Sequence, residues 1–278
     1  MVLTSWVAKM GRYPYHRPHG IGLHCTEPAH LASPFSAMPA AASYALIFDM
    51  DGVIVDNTRY QARAFQLLFR EHGLTTDARR LLARLNGMPA TTILQTVFRH
   101  PVPKKQLEEY ASQREFLYRT LYWNHRQELP GLTTFLQAAR AAGFKLALGT
   151  GSAPETIGYI LDHLHLRPYF DVVVGKADVP EGKPHADTFV VAAQKLGIPP
   201  GQCVVIEDAL LGEQAAYRAG MRCIGVSTTL KAKQFQAPLT VINDFTELTP
   251  KWVLALLEAH SAVPKPSKAL AQRAYMNL

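Results

Sequence analysis

Two pairs of carboxylates follow two apolar runs of the chain. The run YALIF is followed by Asp49 and Asp51, and the run CVVI is followed by Glu207 and Asp208. Buried carboxylates need a partner or a cation, because unpaired like charges repel one another and lose their hydration. Oxygen ligands from only a few side chains suit Mg²⁺, which keeps several waters and takes up phosphate oxygens. The two acidic pairs therefore predict a magnesium site, provided that the fold brings them together.

Two further segments contain groups that could bind a phosphate. The segment LGTGSAPE contains Thr150, Gly151 and Ser152, and we expect Ser152 and Glu155 to form a capping box at the start of a helix. Hydroxyls and backbone N–H groups at a helix N-terminus bind anions, although the same pattern is also typical of an ordinary helix start. Lys183 follows in a Gly-Lys-Pro turn. A loop lysine is usually solvated, but this one could reach the same site.

The periodicity of the chain predicts how these residues are held. Strand-like runs alternate with helical patterns, which indicates an α/β fold with a doubly wound parallel sheet and right-handed crossovers. In such a sheet ligands bind beyond the carboxyl ends of the strands, where the acidic residues lie. The predicted strands are 44–51, 144–150, 170–175, 203–208 and 223–227, and the predicted helices between the later strands are 132–142, 154–164, 186–196 and 210–219.

The interval between the first two strands has a different pattern. From Asn57 to about Gln127 the sequence contains no convincing strand, and its clearest patterns are helical, over 58–73 and 104–123. We interpret residues 58–127 as an inserted, all-helical cap domain. Its insertion divides the core domain into residues 44–57 and 128–260.

The two ends of the chain lack a periodic hydrophobic pattern. Five prolines interrupt every possible helix in residues 1–43, which we expect to be a disordered extension. A targeting segment and an over-long gene start, with Met38 as the true beginning, are the alternatives. The histidines and the cysteine of this segment match no known pattern of metal ligands. Residues 261–278 are expected to be a flexible tail.

Composition argues against several classes of partner. Five of the seven excess positive charges lie in the two end segments, so a basic face for nucleic acid is not expected. No apolar run approaches the roughly 18 residues that a membrane-spanning helix needs. The three cysteines lack C-x-x-C spacing, which favours a reducing compartment. We expect a cytoplasmic protein without nucleic-acid or membrane partners, and we favour a monomer.

Four short motifs carry a resemblance to a known family. FDMDGV, LGTGS, GKP and IEDALLG stand in the order in which the haloacid dehalogenase superfamily has them. The sequence from residue 44 to about 245 resembles the branch with a helical cap, which includes beta-phosphoglucomutase and many small-molecule phosphatases. The resemblance implies a sheet in the order 3-2-1-4-5, with strands one and four side by side at its switch point. It also implies Mg²⁺ as the cofactor and a small phosphorylated metabolite as the substrate.

The resemblance also implies a role for each matched residue. Asp49 would be the nucleophile that forms an aspartyl-phosphate, and Asp51 would be the general acid and base. Haloacid dehalogenases do not use this second aspartate as an acid, so Asp51 favours phosphate esters over carbon–halogen bonds. Thr150 and Lys183 would hold the transferring phosphoryl group, with Gly151 and Ser152 beside it, and the metal ligands would be Asp49, Asp51 through its carbonyl, Asp208, and Glu207 directly or through water.

The sequence departs from the phosphoglucomutase pattern where specificity is decided. Gln61 replaces a histidine, Ala153 replaces a lysine, and Ala90 stands where an arginine would grip a distal phosphate. Arg114 matches a basic cap position that can face the site, although a solvated helix arginine is the alternative. A mutase must hold a bisphosphate at both ends, so these losses favour hydrolysis.

These observations predict a Mg²⁺-dependent phosphatase for small phosphate monoesters such as sugar phosphates, acting through an aspartyl-phosphate. A phosphosugar mutase of the beta-phosphoglucomutase type is the alternative. Phosphonate hydrolysis would need a cap lysine for a Schiff base, and no lysine is marked for it. A non-catalytic binding module would be expected to lose Asp49, Asp51 or Lys183, and all three are present.

Overall fold

The computed structural model describes residues 44–260. The predictions of a disordered extension over residues 1–43 and of a flexible tail over residues 261–278 lie outside the described residues. None of the helices between residues 44 and 260 combines the length and the hydrophobicity that crossing a bilayer requires. The monomeric state and the cytoplasmic location stay predictions.

Six parallel strands of the described region form one sheet in the order β3-β2-β1-β4-β5-β6. This confirms the doubly wound parallel sheet and the predicted order of its first five strands; the short sixth strand was not predicted. The strands are β1 (Ala45–Phe48), β2 (Lys145–Gly149), β3 (Val172–Val174), β4 (Cys203–Glu207), β5 (Arg222–Val226) and β6 (Val241–Ile242).

The described residues 44–260 also contain nine α-helices. Five of them lie between β1 and β2 in the sequence, and we call the first four of these with their connecting loops, residues 58–122, the helical insertion. The helices are α1 (Thr58–Glu71), α2 (Ala78–Leu85), α3 (Ala90–Phe98), α4 (Lys104–Tyr122), α5 (Leu132–Ala141), α6 (Pro154–Leu161), α7 (Asp187–Leu196), α8 (Leu210–Arg218) and α9 (Pro250–Ala259).

Both faces of the sheet are buried, which explains why its strands are apolar at nearly every position. Side chains alternate along β1, so that Leu46 and Phe48 pack with α5, α6 and α9 on one face. Ala45 and Ile47 point to the other face and pack with α7 and α8. The second face is rich in alanine, which lets these two helices approach the sheet closely. The central strands are therefore held rigidly from both sides.

The helical insertion has a hydrophobic cluster of its own. Phe65, Leu68 and Phe69 lie on one face of α1 and pack against buried residues of α2, α3 and α4. Tyr118 and Tyr122 of α4 instead join the cluster that covers the sheet. The insertion is thus packed internally and is also attached to the sheet through α4. Its designation as a separate cap domain stays a prediction.

The strand predicted over 44–51 ends earlier, at Phe48. The carbonyl of Met50 accepts hydrogen bonds from the N–H groups of Val53, Ile54 and Val55, at 3.3, 2.9 and 3.3 Å. These bonds fold the chain into a turn. The strand ends before Met50 because its carbonyl is used within the turn and does not bond to a neighbouring strand. Asp49 and Asp51 consequently lie in a turn at the strand end. The other predicted elements differ from the observed ones by a few residues at their ends, where local patterns are weakest.

Candidate active site

The register of the sheet brings the two acidic pairs together. Phe48 of β1 pairs with Ile206 of β4, so the next residues, Asp49 and Glu207, are neighbours at the carboxyl edge. The N–H of Asp49 donates to the carbonyl of Ile206 at 3.0 Å, which continues the ladder by one bond. Asp49, Glu207 and Asp208 are buried, and each offers a ligand oxygen within 4.8 Å of those of the other two. The acidic cluster expected from the sequence therefore exists.

Lys183 lies inside this cluster. Its Nζ is 2.8 Å from Oδ1 of Asp49 and 2.5 Å from Oε1 of Glu207, and only 1% of the residue is exposed. Burial alone would lower the pKa of Lys183, but the charges of Asp49 and Glu207 outweigh burial and raise it. The side chain is therefore an ammonium at neutral pH. The alternative of a solvated loop lysine is wrong.

Both oxygens of Glu207 have partners within the protein. Oε1 accepts from Lys183, and Oε2 accepts from the N–H groups of Asp208 and Ala209, each at 2.9 Å, at the start of α8. A Cβ at Gly212 would stand 1.8 Å from Oε1 of Glu207. Glycine is therefore required at this helical position, because any side chain would overlap the carboxylate that positions Lys183.

Asp208 is the carboxylate of the cluster without an ion-pair partner among the described residues. Both of its side-chain oxygens are buried and accept no hydrogen bond from the described residues. Burial and the charges of Glu207 and Asp49 raise its pKa well above the usual range. Gly52 has a φ of +82°, and a Cβ there would lie 1.9 Å from Oδ2 of Asp208. Thr229 and Lys183 compensate the charge of Asp208 only in part. A cation could compensate the rest, and the all-oxygen donor set of the cluster fits Mg²⁺.

Asp51 is held by three donors from different parts of the chain. Asn57 donates to Oδ1 at 2.5 Å, Ser152 donates to Oδ2 at 3.0 Å, and Gln61 is 3.4 Å from Oδ1. Asn57 also donates to the hydroxyl of Tyr118 on α4, at 2.6 Å. Burial and the charge of Asp49 raise the pKa of Asp51, while the bonds from Asn57 and Ser152 oppose the rise. A carboxyl group with a raised pKa suits proton transfer near neutral pH.

The predicted capping box between Ser152 and Glu155 is wrong. Helix α6 begins at Pro154, its N-cap is Ala153, and no side chain caps it. Ser152 lies one residue too early, and its hydroxyl is bonded to Asp51 instead. The residue thus belongs to the site, but through Asp51 and not through the helix terminus.

The loop of residues 150–152, which the sequence indicates as a possible phosphate-binding loop, lies beside the acidic cluster. The N–H of Thr150 donates to the carbonyl of Val174 in β3 at 3.0 Å. The hydroxyl of Thr150 accepts a hydrogen bond from the N–H of Ser152 at 3.3 Å. These bonds fix the loop after β2. Thr150, Gly151 and Ser152 line the same cavity as Asp49 and Lys183.

This cavity has a volume of about 470 Å³, and the helical insertion supplies much of its wall. Arg114 of α4 is buried there, and its Nη2 is 2.7 Å from Oε1 of Glu115. Its Nη1 donates to Gln61, and its guanidinium lies 4.7 Å from the centre of the Phe65 ring. The alternative of a solvated arginine is wrong, and the charge of Arg114 is already paired.

Three residues of the site carry no signal in the sequence. Asn57 precedes α1 and has the pattern of an ordinary helix start, whereas its side chain bonds to Asp51. Tyr118 and Glu115 lie on α4 among ordinary helical residues. Their partners are distant in the sequence, so no local pattern indicates them.

A model of a known family matches most of the described region. The model, described as haloacid dehalogenase-like hydrolase, matches residues 46–226. The chain is 37% identical over 183 residues to the fructose-1-phosphate phosphatase YqaB of Escherichia coli (strain K12), which covers 65% of this chain and 95% of that protein. It is 30% identical over 189 residues to the phosphorylated carbohydrates phosphatase of Thermotoga maritima, covering 67% and 86% of the two chains.

Solved structures show the same architecture. The crystal structure of beta-phosphoglucomutase from Clostridium difficile has a TM-score of 0.72 to this chain at 23% sequence identity, and the match covers 78% of this chain and 98% of that chain. At this identity the likeness concerns the fold alone. It confirms the predicted α/β fold.

We expect Gly212→Ala to lower the free energy of unfolding by about 1–3 kcal/mol, because the new methyl group forces Glu207 away from Lys183. Alanine is the better helix former by about 1 kcal/mol, so backbone propensity alone would change stability in the opposite direction. Gly201→Ala is the matched control, since a Cβ there meets no atom within 4 Å. Urea denaturation of both variants checks this. Stability of Gly212→Ala equal to the control would contradict the geometry described for Glu207.

Proposed function

The chain belongs to the haloacid dehalogenase-like hydrolase family, and on this premise we propose that it is a Mg²⁺-dependent phosphatase of small phosphate monoesters, acting through an aspartyl-phosphate on Asp49. One observation carries the proposal: buried Lys183 joins Asp49 to Glu207 beside the carboxylate of Asp208, and Asp49 and Lys183 line a cavity. A phosphoryl group needs neutralisation of its oxygens and an aligned nucleophile, and this arrangement supplies both.

In the proposed first half-reaction, a carboxylate oxygen of Asp49 attacks phosphorus. Lys183 holds Oδ1 of Asp49 at 2.8 Å, so Oδ2 is the oxygen left to attack. The bond from phosphorus to the ester oxygen breaks as the new bond forms. Asp51, whose pKa is raised mainly by burial, gives its proton to the departing oxygen, so that the product leaves as an alcohol.

In the second half-reaction, Asp51 takes a proton from water while the water oxygen attacks phosphorus. The bond to Asp49 breaks, its carboxylate is restored, and inorganic phosphate leaves. Lys183 and the loop of Thr150 would balance the phosphoryl oxygens in both steps. Bound Mg²⁺, held by Asp49, Asp208 and the carbonyl of Asp51 with Glu207 beside them, would supply the remaining positive charge.

We further propose that the helical insertion serves as a cap domain and that the substrates are sugar phosphates. The relatives named as phosphatases of fructose 1-phosphate and of phosphorylated carbohydrates support this class. A cavity of about 470 Å³ is within the range of small-ligand sites. The insertion contributes Gln61, Phe65 and Arg114 to its wall, so it is placed to select the substrate.

The mutase alternative is not favoured. The family's mutases carry basic side chains at three positions of the site. In this chain the three positions hold Gln61, Ala90 and Ala153, and all three residues line the cavity. A mutase must exclude water from the aspartyl-phosphate until the second sugar phosphate has bound, and it does so by closing its cap over the site. The binding of the distal phosphate provides the energy for closing the cap. With two of the three positions reduced to methyl groups, that binding energy is small.

We expect Asp49→Asn to lower turnover of p-nitrophenyl phosphate by at least ~10³-fold, because the attacking charge is removed while the shape is kept. Asp51→Asn should lower turnover by about 10²–10⁴-fold, because it removes proton transfer but leaves the nucleophile. Intact-mass spectrometry should then find a phosphoryl adduct on Asp49 in Asp51→Asn and none in Asp49→Asn. Normal turnover by purified Asp49→Asn would exclude the covalent mechanism.

Chelation with EDTA should abolish turnover, and added Mg²⁺ should restore it, because the cluster otherwise repels a phosphate dianion. Mg²⁺ should also raise the thermal unfolding midpoint, since a ligand that binds the folded state stabilises it. The increase should disappear in Asp208→Asn and persist in Asp56→Asn, a control that removes an exposed carboxylate. Full activity after exhaustive chelation is the contrary result.

Given beta-glucose 1-phosphate with a trace of glucose 1,6-bisphosphate, the protein should release inorganic phosphate and form little glucose 6-phosphate. The reason is that Ala90 and Ala153 leave the distal phosphate without a clamp. A phosphate assay and a coupled assay for glucose 6-phosphate, run on the same sample, check this. Rapid formation of glucose 6-phosphate without free phosphate would establish the mutase instead.

A further inference from the structure

The wall of the cavity formed by α4 contains a charged network that the proposed chemistry does not use. Oε1 of Glu115 is 2.7 Å from Nη2 of Arg114, and Oε2 accepts the hydroxyl proton of Thr156 at 2.8 Å. Nη1 of Arg119 is 3.4 Å from the same hydroxyl of Thr156. The side chains of Arg114 and Glu115 are only 9% and 19% exposed. The network therefore joins α4 to α6 at the wall of the cavity.

The charges of this wall balance one another. Apart from Asp49, Asp51 and Lys183, the described residues that line the cavity include equal numbers of cations and carboxylates. The cations are Arg114, Arg119 and Lys176, and the carboxylates are Glu108, Glu115 and Glu155. A second phosphoryl group would bring about −1.5 to −2 charges at neutral pH. The most enclosed cation, Arg114, is already paired with Glu115 and is not free to receive such a group, whereas Arg119 is only partly buried and Lys176 is exposed to solvent.

Glu115 still has acceptor capacity. A carboxylate has about four lone-pair sites, and the two contacts of Glu115 use one on each oxygen. Nε of Arg114 is buried and has no hydrogen-bond partner among the described residues. The pair therefore offers the remaining acceptor sites of Glu115 in fixed positions, with no net charge. Such a surface suits hydroxyl groups, which can donate to it.

We propose that Glu115 determines the substrate class, by selecting monophosphates whose distal end carries only hydroxyl groups and rejecting those with a second anionic group. This inference rests on the proposed phosphatase function and specifies its substrate. Glu115 acts in two ways: it accepts hydrogen bonds from substrate hydroxyls, and it cancels the charge of Arg114 that would otherwise attract a second phosphate. Sugar bisphosphates and phosphorylated carboxylic acids are therefore poor substrates.

The test compares fructose 1-phosphate with fructose 1,6-bisphosphate, which differ only by the distal phosphate. For the wild type we expect kcat/KM to be at least about 10-fold higher for the monophosphate. Glu115→Gln frees the charge of Arg114, so the ratio of the two kcat/KM values should shift by about 10-fold or more toward the bisphosphate. The ratio cancels any effect on folding or chemistry that both substrates share.

Two matched variants control for charge. Glu109→Gln removes the same charge from an exposed position on α4 outside the cavity, and it should leave the ratio unchanged. Glu115→Asp keeps the charge and should remain close to the wild type. If Glu115→Gln does not fold, Glu115→Ala, which also frees the charge of Arg114, replaces it, and a wild-type preference for the bisphosphate still overturns the proposal.

The outcomes separate the two proposals. A wild type that releases phosphate from p-nitrophenyl phosphate but prefers the bisphosphate, or accepts neither sugar phosphate, overturns the role of Glu115 and leaves the phosphatase function intact. An unchanged ratio in folded Glu115→Gln does the same. A wild type that hydrolyses none of the three compounds overturns the phosphatase function and this inference together.

Discussion

The ion pairs of Lys183 are the interaction on which the site depends. Three buried carboxylates, Asp49, Glu207 and Asp208, lie together in the described part of the chain, and the one ammonium group there, that of Lys183, pairs with the first two. If all are ionised, the cluster has an excess of two negative charges, which is the charge of one divalent cation. Buried charges are tolerated only when they are compensated, so a divalent cation bound to the cluster would stabilise its ionised form. The absence of a side chain at Gly52 and Gly212 leaves room for the carboxylates of Asp208 and Glu207.

The sheet makes this concentration of charge possible. Because β1 and β4 are neighbours, residues far apart in the sequence meet at one edge, and the register fixes Asp49 beside Glu207. The two apolar faces hold these strands rigidly, so the carboxylates cannot move apart to relieve their repulsion. Preorganised charge of this kind is what phosphoryl transfer requires, because little reorganisation is then left for the reaction itself.

The sequence predicts the parts of the site that stand at the ends of strands. Asp49 and Asp208 could be predicted because strand periodicity and topology determine where such ends meet. Lys183 stands in a loop after β3, and its local pattern left a solvated position open. Ser152 shows the limit: its local pattern indicated a helix cap, whereas its partner, Asp51, is 101 residues away in the sequence. Local patterns also missed β6, which has only two residues. The pairing of Arg114 with Glu115 was beyond prediction, since adjacent helical charges are usually solvated.

The bond that Asn57 makes to both Asp51 and Tyr118 has a consequence for protein engineering. Exchanging the helical insertion for that of a relative is an obvious way to transplant substrate preference. Such an exchange would also replace Tyr118 and Gln61, and with them part of the hydrogen bonding that supports Asp51. Recombinants cut at the ends of the insertion would therefore inherit a disturbed Asp51, the residue that we propose as the proton donor, together with their new insertion. A crossover that retains α4 and exchanges only the loops before it would leave the contact between Asn57 and Tyr118 in place.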